Sequence, residues 1–166
     1  MLFDSHLHIV DRKKLAYPWL ADAGALNRDS LYEDYAREAR RLEITDTLHM
    51  EVDVAECDIE RETDYVRGLS REPGSLLRGA IAACRPESAD FPAYLDRVLA
   101  DPFVKGFRRV LHVVPDNVSE GALFRENLKR LGNTRLTFDL CVLPHQISKA
   151  IALADLNPNA RFILDH

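Results

Sequence analysis

The sequence has no apolar run long enough to cross a membrane. A membrane-spanning helix needs about 18 consecutive, mostly apolar residues, and no segment of the 166-residue chain approaches that length. The first residues show neither the basic region nor the apolar core of a secretory signal. Cysteine is also scarce, because the chain holds 3 cysteines and their spacing fits no zinc motif. We therefore expect a reduced, cytoplasmic setting and no membrane contact.

Basic residues are outnumbered, which argues against a nucleic-acid partner. Lys and Arg total 22 while Asp and Glu total 27, so the formal net charge is −5. Nucleic-acid binding depends on clustered Lys and Arg. What the chain does have is 46% apolar and 30% charged residues, which is typical of a folded domain. Its length predicts a single domain with its own core.

Six segments with strand character alternate with helical patterns along the chain. The predicted strands cover residues 2–10, 45–54, 77–84, 104–112, 136–143 and 161–166. This alternation is typical of parallel strands joined by crossover helices. The strands begin about 32 residues apart, and eight such units give roughly 256 residues, close to the ~250 of a (β/α)8 barrel. We predict an α/β fold of the TIM (β/α)8-barrel type, incomplete, with about six βα units in one domain over residues 1–166.

An open, doubly wound sheet is the alternative fold, since six strands suffice for it. Nucleotide-binding members of that class carry a glycine-rich turn after the first strand. Here the corresponding residues, 6–11, include no glycine. The sequence therefore argues against nucleotide binding, while the open-sheet topology stays an alternative.

The first predicted strand carries polar side chains at alternate positions. Strict alternation predicts that Asp4, His6 and His8 share one face. Two imidazoles two residues apart on a strand can both reach one cation, such as zinc. Buried parallel strands are usually apolar throughout. This pattern therefore favours metal binding or catalysis over a purely structural role.

The second predicted strand repeats the polar alternation. Thr47, His49, Glu51 and Asp53 would share one face, which in a barrel we expect to point inward. Glu51 is then a candidate for binding substrate, although a solvated edge strand would produce the same alternation. For His49 we favour a packing or supporting role.

The fourth predicted strand places Arg108 and His112 on one face and Arg109 on the other. An arginine that points into a barrel mouth needs an anion, and its planar fork suits a carboxylate. Arg108 is therefore a candidate for binding an acidic substrate or for holding a carboxylate of the site. Arg109 is expected to form a surface ion pair.

Three more residues complete the candidate site. Trp19 lies in a long irregular segment, residues 11–29, and long loops in such places are often functional. His145 follows Pro144 at a helix start and is a candidate for contacting substrate. His166 ends the sixth predicted strand and would rise on the same rim as the histidines of the first strand. Asp139 in the fifth strand is expected to orient another group.

Together these motifs resemble the amidohydrolase superfamily, most closely its branch of sugar lactonases and 2-pyrone-4,6-dicarboxylate lactonases. The matching segments are Asp4-Ser-His-Leu-His, Tyr17-Pro-Trp-Leu, Val104-Lys-Gly-Phe-Arg-Arg, Leu136-Thr-Phe-Asp-Leu-Cys-Val and Phe162-Ile-Leu-Asp-His. The resemblance implies a barrel enzyme that hydrolyses a lactone or related ester of a sugar acid or dicarboxylate. It implies that His6, His8 and His166 bind a divalent metal, typically zinc, although some lactonases of the group need none.

The resemblance covers only the N-terminal two-thirds of that family's fold. The family's general base, an aspartate on the eighth strand, has no counterpart here, so we expect a truncated chain without activity of its own. A barrel with six strands exposes two edges. A non-catalytic, self-associating module that binds a metal or a small acid is therefore an alternative, with homo-oligomers formed through the open edges. A decarboxylase of the same superfamily is a further alternative.

Overall fold

In the computed structural model, which describes residues 1–165, six β-strands alternate with five α-helices. The strands are β1 (Leu2–Leu7), β2 (Ile44–Met50), β3 (Leu77–Ala83), β4 (Val104–Val110), β5 (Thr137–Cys141) and β6 (Arg161–Leu164). The helices are α1 (Tyr32–Arg41), α2 (Ile59–Ser70), α3 (Phe91–Leu99), α4 (Ala122–Lys129) and α5 (Ile147–Leu156). Short 3-10 helices cover Pro18–Asp22, Gly24–Leu26, Glu56–Asp58 and Pro144–Gln146. The predicted alternation of strands and helices is confirmed.

The chain divides into two compact units, Met1–Ala83 and Cys84–His166. In the first unit β1 pairs in parallel with β2, and β2 pairs in parallel with β3. In the second unit β4, β5 and β6 pair in parallel in the same consecutive manner. No helix within residues 1–165 has both the length and the apolar character required to span a bilayer.

Aromatic side chains define the helix-facing side of the second unit. The ring of Phe107 on β4 lies 5.7 Å from Phe91 of α3, measured between centroids. Phe138 on β5 meets Phe124 of α4 edge to face at 6.3 Å. Because side chains alternate along a strand, the residues that follow these two aromatics face the opposite side. Arg108 and Arg109 therefore face opposite sides of the sheet, as predicted.

A bulge in β1 contradicts one prediction. Asp4 pairs with Thr47 and Leu7 pairs with His49, so three residues of β1 lie opposite two of β2. An inserted residue of this kind changes which face the following side chains occupy. The expectation that Asp4 shares a face with both histidines of β1 is therefore wrong, because strict alternation assumes an unbroken ladder.

The polar face of β2 also turns out differently from the prediction. His49 lies with its Nε2 3.3 Å from Oε1 of Glu62 on α2, so it faces a helix. Thr47, on the same side, lies 3.2 Å from the hydroxyl of Tyr35 on α1. The prediction that these two residues point into a barrel is wrong. Each of the two buried side chains has a polar partner on a helix, as buried polar side chains usually require.

Candidate functional site

The imidazoles of His6 and His8 lie side by side at the carboxyl end of β1. Their Nε2 atoms are 3.1 Å apart and the rings meet edge to face. Nδ1 of His8 lies 3.0 Å from the carbonyl oxygen of Met50. Because a carbonyl oxygen only accepts, Nδ1 of His8 carries a proton. In neutral His8 the lone pair is therefore on Nε2, and it faces Nε2 of His6.

This pair fits two positions of a zinc site. Zinc binds imidazole nitrogen at ~2.0–2.1 Å, so two tetrahedral ligands lie about 3.3 Å apart, near the 3.1 Å between these Nε2 atoms. The predicted third ligand, His166, lies outside the described residues. Within residues 1–165, no group of three or more His, Cys, Asp or Glu side chains is arranged to hold a metal ion.

The segment after β2 is fixed by two side chains. Glu62 of α2 is 1% exposed, and its Oε1 accepts the Val52 N–H at 2.9 Å. Trp19 donates from Nε1 to the Val52 carbonyl at 2.8 Å. Both bonds hold the chain two residues beyond Met50, the residue whose carbonyl orients His8. Trp19, a predicted substrate contact, thus also stabilises the backbone beside the histidine pair.

Glu51 is placed inside the protein. It is 1% exposed, and its Oε2 accepts the Asp53 N–H at 2.7 Å. Asp53 has a φ of +46°, which lies in the left-handed region that is uncommon for a residue other than glycine. Glu51 therefore stabilises a tight turn after β2.

A buried cluster of charges lies on β4, β5 and the residue after β6. Arg108 donates from Nη1 to Oδ2 of Asp165 at 2.8 Å. Asp139 is the register partner of Arg108 on β5, and Thr137 donates its hydroxyl to Asp139 Oδ1 at 3.1 Å. The pKa of Asp139 is raised to about 6, chiefly by burial and also by the charge of Asp165, while the Thr137 hydrogen bond and Arg108 act in the opposite direction. Of the two roles predicted for Arg108, the structure shows it holding a carboxylate of the protein.

Arg109 faces the other way and is also paired. Its Nε and Nη2 lie 2.9 and 2.7 Å from Oε1 of Glu87. The predicted ion pair of Arg109 is therefore present. However, its side chain is 8% exposed, so the pair is buried more deeply than a surface pair.

The two remaining predicted histidines of the second unit are exposed. Nδ1 of His112, in the loop after β4, lies 3.4 Å from Sγ of the buried Cys141. His145 lies in the short 3-10 helix Pro144–Gln146. Gln146 stabilises that turn, because its Oε1 accepts the Leu143 N–H at 2.9 Å. Both histidines are accessible to a ligand on the surface of their unit.

Three supporting residues were missed by the sequence reasoning: Tyr35, Glu62 and Asp165. Glu62 could have been found, because it falls at helical spacing between Ile59 and Val66 on the buried face of α2. A carboxylate in that position requires a buried partner. Asp165 lies in the segment Phe162-Ile-Leu-Asp-His that carries part of the family resemblance, but its partner is 57 residues away and no local pattern identifies it.

Comparison with known proteins adds the family context. A family model described as Amidohydrolase matches residues 3–166. The chain is 24% identical to the uncharacterized protein y4mH of Sinorhizobium fredii, over 99% of this chain and 61% of that protein. The chain thus spans about three-fifths of the length of this curated relative.

Solved structures show the same fold. An amidohydrolase of Burkholderia multivorans with bound zinc is similar with a TM-score of 0.80 and 20% identity, over 100% of this chain and 57% of that one. A probable 2-pyrone-4,6-dicarboxylic acid hydrolase of Acinetobacter baumannii, solved with citric acid bound, has a TM-score of 0.64 and 13% identity, over 99% of this chain and 58% of that one. The predicted barrel-type fold is confirmed, with six of its strands and five of its helices among the described residues.

Proposed function

The chain belongs to the amidohydrolase family, and we propose that it carries part of a metal-dependent hydrolase site for lactones or related esters of sugar acids or dicarboxylates. The observation that carries the proposal is the 3.1 Å approach of His6 and His8 through their Nε2 atoms. Two imidazoles in this relation match the ligands that a zinc ion takes. The family match and the zinc-bound amidohydrolase of similar fold support the same reading.

In this proposal His6 and His8 hold a divalent cation, zinc being the best fit, and His166 is the third ligand. When bound, such a cation polarises a substrate carbonyl and lowers the pKa of a water molecule. The hydrogen bond from Nδ1 of His8 to Met50 fixes the ring and increases the basicity of Nε2. In a metal-independent lactonase, the same two histidines would instead contact the substrate carbonyl directly.

The substrate is proposed to be anionic. Arg108 already holds the carboxylate of Asp165 while almost fully buried. A guanidinium in such surroundings interacts strongly with carboxylates. Glu51, His112, His145 and Trp19 are proposed as further substrate contacts. Similarity to a probable 2-pyrone-4,6-dicarboxylic acid hydrolase supports a substrate that carries carboxylate groups.

Metal titration tests the histidine pair directly. Calorimetry with Zn²⁺ or the visible spectrum of bound Co²⁺ should show one specific site in the 166-residue chain. His6→Ala and His8→Ala should each weaken the affinity at least tenfold. His145→Ala removes an exposed imidazole that the proposal does not assign to the metal and controls for adventitious surface binding, so it should leave the metal affinity unchanged. Equal affinity in all four proteins would contradict the metal site.

Turnover tests the reaction class. We expect the chain alone to bind metal without opening lactones, because the general base implied by the family resemblance lies on a later strand. Any longer chain that the gene encodes, loaded with metal, should open a dicarboxylate lactone in a pH-stat assay. Release of carbon dioxide without ester opening would instead favour the decarboxylase alternative. Metal binding with neither reaction would contradict an enzymatic role.

A self-associating, non-catalytic module is the second candidate function. β6 has one strand partner, β5, among the described residues. Apolar side chains of β6 are exposed, with Ile163 at 44% and Leu164 at 62%. Exposed apolar groups along a strand edge are typical of an interaction surface. A concentration-independent monomer in sedimentation velocity would contradict this alternative.

A further inference from the structure

We propose that Asp4 is a positioning residue that turns His6 and His8 together to one face of β1. The functional consequence rests on the metal-binding role proposed above. The geometric part, which concerns where the two imidazoles point, stands on the contacts of Asp4 itself.

The first contact of Asp4 lies within β1. Oδ1 of Asp4 accepts the backbone N–H of His6 at 3.1 Å. A carboxylate that binds the N–H two residues later offers the backbone an alternative to the strand ladder. The bulge lies at this point, between Asp4 and Leu7. The bond therefore stabilises the inserted residue where the ladder is interrupted.

The second contact ties Asp4 to the helix layer. The hydroxyl of Tyr35 on α1 donates to Oδ2 of Asp4 at 2.7 Å, and the same hydroxyl lies 3.2 Å from Oγ1 of Thr47. Burial is the main cause that raises the pKa of Tyr35 to about 12, with the hydrogen bond to Asp4 next, so the phenol stays a donor at neutral pH. Oδ2 thus holds Asp4 on the side of α1, while Oδ1 binds the backbone of β1.

The bulge has two consequences at once. Leu7 pairs with His49 in the ladder and, like His49, faces the helices. Leu7 is 7% exposed. His6 and His8, on either side of Leu7, consequently face away from α1 with their Nε2 atoms 3.1 Å apart. Without the bulge, strict alternation would place both imidazoles on the side of α1, together with Asp4.

The test compares three variants by two readouts. Asp4→Ala removes both contacts, whereas Asp4→Asn keeps an oxygen for the His6 N–H and a polar group for Tyr35. Asp46→Ala is the matched control, because that carboxylate on β2 pairs with Arg78 and Thr45 instead. The first readout is Co²⁺ affinity, and the second is the tautomer of His8 in the metal-free protein, measured by ¹⁵N NMR of the imidazoles.

We expect Asp4→Ala to weaken Co²⁺ binding about 10–100-fold, the range for residues that orient metal ligands. It should also lose the Nδ1–H tautomer of His8 that the bond to Met50 imposes. Asp4→Asn should restore both readouts to near the wild-type values, and Asp46→Ala should change neither. A folded Asp4→Ala protein with wild-type affinity and tautomer would overturn the proposal.

Failure of the proposed function would look different. If the wild-type chain binds no Co²⁺, the metal site is wrong, but the tautomer of His8 in the metal-free variants still decides the role of Asp4. If Asp4→Ala does not fold, Tyr35→Phe removes the Oδ2 contact alone. That variant should shift both readouts in the same direction by a smaller amount, and an unchanged Tyr35→Phe protein would then overturn the proposal.

Discussion

Arg108 donates from Nη1 to Oδ2 of Asp165 at 2.8 Å, with both side chains 5% exposed. Asp139 is 3% exposed and lies beside Arg108 in the ladder, so two buried carboxyl groups lie near this guanidinium. Burial is the largest cause that raises the pKa of Asp139 to about 6, and the charge of Asp165 also contributes to the increase.

Arg108→Met should destabilise the protein strongly. Removing one member of a buried pair leaves Asp165 as a buried charge without this cation, which typically costs about 3–5 kcal/mol. Urea unfolding followed by circular dichroism measures the change. The control is Arg78→Met, whose ion pair with Asp46 is half exposed on the arginine side, and it should cost under ~1 kcal/mol. Equal losses in both variants would show that the Arg108 pair contributes no more than a surface pair.

Asp139 should make stability depend on pH between about 4 and 6. Its pKa is about 6 in the folded protein, against the ordinary aspartate value of 3.8, so the folded state holds a proton that the unfolded state releases in this window. Stability contributed by the protonated form is therefore lost as pH rises through the window. Asp139→Asn keeps a neutral side chain at every pH.

The measurement for Asp139 is the difference in unfolding free energy between Asp139→Asn and wild type at pH 4.5 and 7.5. We expect the variant to gain relative stability at pH 7.5, by on the order of 1–3 kcal/mol. A difference that stays constant over this range would show that the folded-state pKa is not raised.

Glu62→Ala should destabilise the first unit and loosen the segment beside the histidine pair. The carboxylate accepts from the Val52 N–H and contacts His49, and both residues are buried. Each buried group left without a partner costs ~1–3 kcal/mol. Glu62→Gln keeps the accepting oxygen and should cost clearly less. Glu60→Ala, an exposed change on the same helix, is the control. Thermal unfolding of the three variants ranks their stabilities. If Glu62→Ala is as stable as Glu60→Ala, the buried contacts of Glu62 make no net contribution to stability.

Leu164→Lys should reduce self-association if the edge at β6 is an interaction surface. The side chain is 62% exposed, and a lysine on an edge strand opposes strand pairing. Leu26→Lys is a matched control, because Leu26 is 63% exposed in the first unit. Sedimentation velocity over a range of concentrations measures the result. Equal association in both variants would rule out this edge.

Much of the candidate site could be predicted from residue type and spacing. The pairing of His6 with His8 follows from their i, i+2 spacing, which survives the bulge because the inserted residue does not separate them. The opposition of Arg108 and Arg109 follows from regular alternation along β4, whose ladder with β5 is unbroken. Local periodicity is reliable where no residue is inserted.

Other features could not be read from local pattern. The inward face predicted for Thr47 and His49 was wrong, since the partners that bury them, Tyr35 and Glu62, lie on helices. Alternation alone does not distinguish a polar face toward a barrel interior from one toward helices that carry matching polar groups.

The sequence by itself determined the order of strands and helices and the chemical identity of the candidate site. These are local properties, set by periodicity and residue type. The tertiary structure alone decided that Asp4 faces α1 while His6 faces away from it, and that Asp165 is the carboxylate that meets Arg108. Strand register and buried charge pairing depend on residues distant in the chain, and short-range pattern carries no information about them.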